Sequence, residues 1–176
     1  MYHFIMIKSA KELTRSQQKK RKKLVRGVYN DSTDDLFDVY LKRYPSGVVT
    51  LLNALSFYSM CDEWINPPFY FIFQNGYRRI DDKRIRQFRE EKSLMFLGCI
   101  KEEHNGYQFN IFNKERLLIE LWRKEKYIPK NIFKQAIFHY RELANSGELN
   151  VPLIREYLTS IPKSSIYEQR LSKEIL

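Results

Sequence analysis

Five consecutive apolar residues, Phe69-Tyr70-Phe71-Ile72-Phe73, constrain this chain more than any other segment. Asn66-Pro67-Pro68 precedes them, and proline forces an extended turn there. Asn75-Gly76, a turn pair, closes them. A β-prone run with no polar alternation reads as a strand buried on both faces. Helical periodicity supplies the elements to cover it. Leu36, Phe37, Tyr40, Leu41 and Tyr44 form one apolar face, opened by Asp34 and Asp35 at the positive end of the helix dipole. Pro45-Ser46-Gly47 breaks that helix. Ser46 is placed to cap a second one carrying Val48, Leu51, Leu52, Leu55 and Tyr58.

Further along, residues 94–100 and 107–112 flank His104-Asn105-Gly106 and predict a hairpin. The spacing predicts a helix over 114–126 with Leu117, Leu118, Leu121 and Trp122 inward. A second over 130–145 turns Phe133, Ala136, Ile137, Tyr140 and Leu143 inward and stops near Gly147. Shorter helical segments follow near 151–160 and 163–175. Strands come first and helices after, so the class is α+β: a small mixed or antiparallel sheet with helices packed on it and a helical C-terminal part. A length of 176 residues with 43% hydrophobic content allows one large domain, or one domain with a small appendage.

Charge is concentrated at one end. Residues 1–26 carry nine Lys or Arg and one acid, Glu12, so +8 of the formal +10 lies there. Residues 27–76 sum to −4, with two bases and six acids. A local positive field selects polyanions. Residues 9–23 hold good helix formers but almost no apolar face beyond Leu13, and 24–29 reads as a strand. The expected division is a basic N-terminal helix or arm over 1–26 and an α+β domain over 27–176. Arg15, Lys19, Lys20, Arg21, Lys22, Lys23 and Arg26 are the candidate DNA-binding residues. Five adjacent charges encircle a helix, so about three would face one phosphate backbone. Such contacts carry a steep salt dependence and no sequence preference. Arg78, Arg79, Lys83, Arg84, Arg86 and Arg89 make a second basic cluster, in an exposed loop or edge segment. It could extend the same surface or face an acidic protein.

Catalytic signatures are sparse. Cys61 and Cys99 have no CxxC spacing and read as free thiols in a reducing compartment. His3, His104 and His139 are far apart and lack acidic or cysteine companions at ligand spacing, so no metal is expected. No nucleophile elbow or phosphate-binding glycine loop is present. Glu90-x-Lys92 with Asp81 and Asp82 upstream is the one arrangement that evokes a metal-dependent nuclease. It precedes the apolar segment it should sit in, so the reading names no catalytic residue, no cofactor and no enzyme. The apolar start Phe4-Ile5-Met6-Ile7 comes before the basic residues, the reverse of a signal peptide. No apolar run reaches membrane-spanning length, so a cytoplasmic location without a membrane partner is expected.

Several segments in order resemble the AbiEi family of antitoxins and transcriptional regulators of abortive-infection systems. Val25-Arg26-Gly27-Val28-Tyr29 resembles the family's RGVY strand, and Pro45-Ser46-Gly47-Val48-Val49-Thr50 through Ala54-Leu55-Ser56-Phe57-Tyr58 its next helix. The strand 69–73, the stretch around Gly98, and Asn113-Lys114-Glu115-Arg116-Leu117-Leu118-Ile119-Glu120 resemble later motifs. In the last of these, Leu117 stands where relatives carry Thr and Glu120 where they carry Asp. The C-terminal part from Tyr140 to Tyr157 also fits. The resemblance spans roughly 150 residues. It implies neutralisation of a nucleotidyltransferase-like toxin and repression of the operon through an N-terminal winged helix-turn-helix. Only 24 residues precede Val25 here, so the expected N-terminal part is one basic helix, a remnant of that domain. The alternatives are a protein-binding antitoxin that leaves DNA alone and, further off, the nuclease.

Overall fold

The chain divides into two compact units: Met1–Pro45 with Glu103–Gln108, and Ser46–Glu102 with Phe109–Leu176. The computed structural model describes residues 35–62 and 66–176, and the backbone alone of three short strands before them.

Those strands are β1 (Lys8–Ser9), β2 (Lys22–Val25) and β3 (Val28–Asn30), an antiparallel sheet of order β1-β3-β2 in the first unit. Lys8 and Lys23 both pair with Tyr29, and the register shifts between Lys23 and Val25. This corrects two expectations. Ser9, Lys22 and Lys23 are in strands, not in a helix over 9–23, and the single strand 24–29 is a pair. Residues 10–21, with Arg15, Lys19, Lys20 and Arg21, and also Arg26, lie outside the described residues. Helix α1 (Leu36–Arg43) follows, as its apolar spacing predicts. Asp35 caps it, accepting from the Phe37 N–H at 3.0 Å, and Lys42 and Arg43 sit in its last turn against the dipole.

The second unit is built on a five-stranded mixed sheet of order β6-β5-β4-β8-β7. Its strands are β4 (Val48–Val49), β5 (Phe69–Gln74), β6 (Ile85–Glu90), β7 (Cys99–His104) and β8 (Tyr107–Phe112). β5 runs antiparallel to β4 and parallel to β6, and β4 runs parallel to β8. Phe69, Phe71, Ile72 and Phe73 are wholly buried, as a strand covered on both faces must be. The apolar spacing of 48–58 reads as one helix, but Val48 and Val49 form β4 between β5 and β8. Helix α2 (Leu51–Phe57) starts only after them, with Thr50 and not Ser46 at its N-cap position and no side-chain capping hydrogen bond. Gly47 allows the approach: a Cβ there would lie 2.9 Å from the Phe71 and Phe73 rings.

Residues 94–100 likewise divide. Helix α3 (Lys92–Phe96) precedes β7, and the hairpin turn is Asn105-Gly106, both at positive φ. Then come α4 (Lys114–Arg123), a 3-10 turn (Glu125–Tyr127), α5 (Lys130–Asn145), α6 (Val151–Ser160), α7 (Ser164–Arg170) and a π turn (Leu171–Ile175). The α+β class is as expected, with the helical half at the C-terminal end. Leu117, Leu118, Leu121 and Trp122 of α4 are all buried, with Ala136, Ile137 and Tyr140 of α5. The sheet is tied to α2 through Asn53, whose Oδ1 accepts from the Tyr70 N–H at 2.6 Å in the buried interior. Asn53→Leu should strand that donor and lower stability by about 1–3 kcal/mol, measured by chemical denaturation.

Candidate functional site

The second basic cluster falls on the β6 edge of the five-stranded sheet. Strand alternation splits it into two faces. On one face stand Arg86, Phe88 and Glu90. The Arg86 guanidinium lies 5.8 Å from the centre of the Tyr127 ring, Phe88 meets Tyr127 edge-on at 5.1 Å, and Lys124 lies over Phe88 at 5.2 Å. Lys126 adds a third cation contact, 5.0 Å from Tyr127. On the other face Gln87 pins the loop before β6, accepting from the Ile80 N–H and donating to the Arg78 carbonyl. That loop presents Arg78, Arg79 and Lys83 to solvent, and Arg89 is exposed on the strand. Arg84 is held by Asp82 at 3.0 Å and is the least free of the six expected residues. Phe88, Tyr127, Lys124 and Lys126 had not been singled out from the sequence. The pattern Arg86-x-Phe88 on a basic strand is the signal that points to them.

A charge network anchors this edge from behind. Glu90, at the end of β6, pairs with Arg123 of α4 at 2.8 Å. Arg123 also contacts Glu120, which receives Lys124 at 2.8 Å and Arg116 at 2.6 Å. Arg116 and Glu120 are wholly buried, and the Arg116 guanidinium lies 4.7 Å from the Phe112 ring centre. Burial would push the Glu120 carboxyl up; Arg116, Lys124 and Arg123 outweigh it and hold it at about 2. Burial likewise pulls the Arg116 guanidinium down, against the pull of Glu120. Asn113 caps α4 by accepting from the Arg116 N–H and donates to the Tyr157 hydroxyl at 2.9 Å. The segment 113–120 therefore carries a packing device. Its ionised groups face one another.

Glu90, the carboxylate the nuclease reading needs, is occupied by Arg123, and Asp82 by Arg84. Among the described residues two histidines do meet acids: His139 Nδ1 lies 3.2 Å from Glu142 Oε2 on α5, and His104 meets two. In the first unit, His104 Nε2 lies 3.3 Å from Asp35 Oδ2 and 3.7 Å from Asp38 Oδ1, while Asn105 donates to Asp38 Oδ2 at 2.8 Å. These three groups could face a small cation, or simply pair when the imidazole is protonated. Both cysteines are free. No helix among the described residues is long and apolar enough to cross a membrane. Of the expected DNA-binding residues, Lys22 and Lys23 are placed in β2, and the other five lie outside the described residues.

Comparison with known proteins finds no matching family model and no matching curated protein.

Proposed function

We propose that this chain is a non-enzymatic, cytoplasmic regulator of the AbiEi antitoxin kind. Its basic N-terminal segment contacts DNA backbone, and its α+β part neutralises a nucleotidyltransferase-like toxin by protein contact. One observation carries the reading: the segments that resemble the family fall at interlocking packing positions. Gly47 admits β4 beside Phe71 and Phe73, Gly98 abuts Arg116, Arg116 pairs with Glu120, and Asn113 caps their helix. Such positions mark an architecture and not a reaction centre. The β1-β3-β2 sheet, with Lys22 and Lys23 on an edge strand, supports a wing-like role for the basic segment.

The DNA half is tested by titrating salt against binding of a duplex of arbitrary sequence. Changing Lys19, Lys20, Arg21, Lys22 and Lys23 to Gln should flatten the log–log salt slope by about 3 and weaken binding at least about tenfold. Unchanged affinity and slope would refute DNA contact by this segment. The toxin half predicts growth rescue on co-expression with a nucleotidyltransferase-like toxin encoded beside this chain. A protein-binding antitoxin that does not touch DNA is the second reading. It is favoured by the groove described next, and it predicts full rescue by the five-fold Gln variant.

A further inference from the structure

Within the second unit, a groove of about 1020 Å³ opens between α5 on one side and the 3-10 turn with the C-terminal turns on the other. Lys130, Phe133, Lys134, Ile137, Phe138 and Arg141 run down its α5 wall at helical spacing. Eleven rises of about 1.5 Å from Lys130 to Arg141 give a wall of about 16 Å, three turns of helix. Ile128 and Ile137 are buried at its base, and Phe138 is 57% exposed at its lip.

The charges of the groove are one-sided once their internal pairs are removed. Its two carboxylates, Glu125 and Glu174, are both taken by Arg170 at 2.7 Å, and Glu174 also accepts from the Trp122 indole at 3.0 Å. Arg141 donates to the Glu174 carbonyl. Lys126, Lys130 and Lys134 are exposed and have no ion-pair partner among the described residues. The groove therefore presents an apolar centre within a rim whose unpaired charges are cationic.

We infer that this groove docks an amphipathic helical segment of a partner protein, apolar along its centre and acidic along its edges. Charge decides against the chain's own basic segment, which carries the same sign as the rim, and against a second copy of a chain of net charge +10. Shape decides against nucleic acid: the recessed aliphatic base offers nothing to a base edge, and a duplex backbone does not enter a concave apolar slot. An amphipathic helix in a groove uses apolar anchors at three- and four-residue spacing, which α5 mirrors. The inference names the partner chemistry for the protein-contact half of the proposed function and is independent of the DNA half.

The test uses the full chain and a fluorescein-labelled, helix-stapled peptide of three turns, with Leu and Phe on one face and Glu flanking it, read by anisotropy. Saturable binding is expected. Lys130→Glu with Lys134→Glu should weaken it at least tenfold and raise affinity for the same peptide with Lys in place of Glu. Phe138→Ser, at an exposed position, should weaken binding severalfold while leaving the circular dichroism spectrum and duplex DNA affinity unchanged. Absence of saturable binding, or equal binding by wild type and both variants, overturns the proposal. So does self-association that Phe138→Ser abolishes, since the groove would then hold a second copy. Peptide binding that persists when toxin rescue fails would overturn the toxin reading and leave the groove standing.

Discussion

Glu120→Gln will lower the unfolding free energy by about 3–5 kcal/mol, because it leaves Arg116 as a buried cation without its counter-charge. Both side chains are wholly buried, and Arg116 Nη1 lies 2.6 Å from Glu120 Oε1. Arg123 and Lys124 would lose the same acceptor. Replacing the pair together, Arg116→Met with Glu120→Leu, should recover most of that loss, since apolar groups of similar volume need no ionic partner. Urea denaturation of the three proteins measures this. A loss below about 1 kcal/mol for Glu120→Gln would place the network with weak surface pairs. The network also sets an acid response. Burial raises the carboxyl pKa, the three cations lower it further, and the folded-state value of about 2 lies below the ordinary 4.5. Its contribution is therefore complete above about pH 4.5 and is lost as pH falls toward 2. The Met/Leu protein should lack that part of the acid transition.

Gly98→Ala will be nearly as damaging, by about 2–5 kcal/mol, from two causes acting at one atom. Gly98 has φ +69, where a side chain is strained by about 1–2 kcal/mol. Its new Cβ would also lie 2.5 Å from the Arg116 Cβ and 3.0 Å from the Tyr157 ring, an overpacking of about 1–3 kcal/mol. Relief by movement is restricted, because the Gly98 carbonyl accepts from the Asn113 N–H at 2.8 Å, fixing β7 to the cap of α4. Gly147→Ala is the control: it also has positive φ, +74, but nothing lies within 4 Å of its added Cβ. Thermal melts should show a much smaller shift for Gly147→Ala. Equal shifts would mean that backbone strain alone accounts for both.

What could be read from the sequence follows the range of the forces involved. Helix α5 was legible to the residue, since its apolar face over 130–145 is local and period 3.6 decides it. The buried strand 69–73 was legible because an unbroken apolar run has few alternatives. Val48 and Val49 misled, since their spacing from Leu51 and Leu55 fits a helix while their partners are Asn110, Ile111, Phe71 and Ile72, distant in sequence. Lys22 and Lys23 misled in the same way: lysine favours helix locally, and pairing with Asn30 and Tyr29 overrides it. The basic cluster 78–89 was found by composition, yet its ring partner Tyr127 was invisible until the fold placed Phe88 beside it. His104 follows Glu102 and Glu103 in sequence, yet the acids it meets, Asp35 and Asp38, come from the segment around α1 some seventy residues earlier.

The hairpin of β7 and β8 belongs to two units at once: residues 103–108 at its tip are part of the N-terminal unit, while its stem is part of the other. The order in which the ribosome delivers the chain then matters. When residue 45 has emerged, Asp38 still lacks Asn105 and Asp35 lacks His104, and both arrive some sixty to seventy residues later. The first unit of this protein is thus completed out of order, by chain made long after its own start. A gene fragment encoding residues 1–45 would specify a unit with a piece missing, so any dissection into separately expressed parts must carry the hairpin tip along.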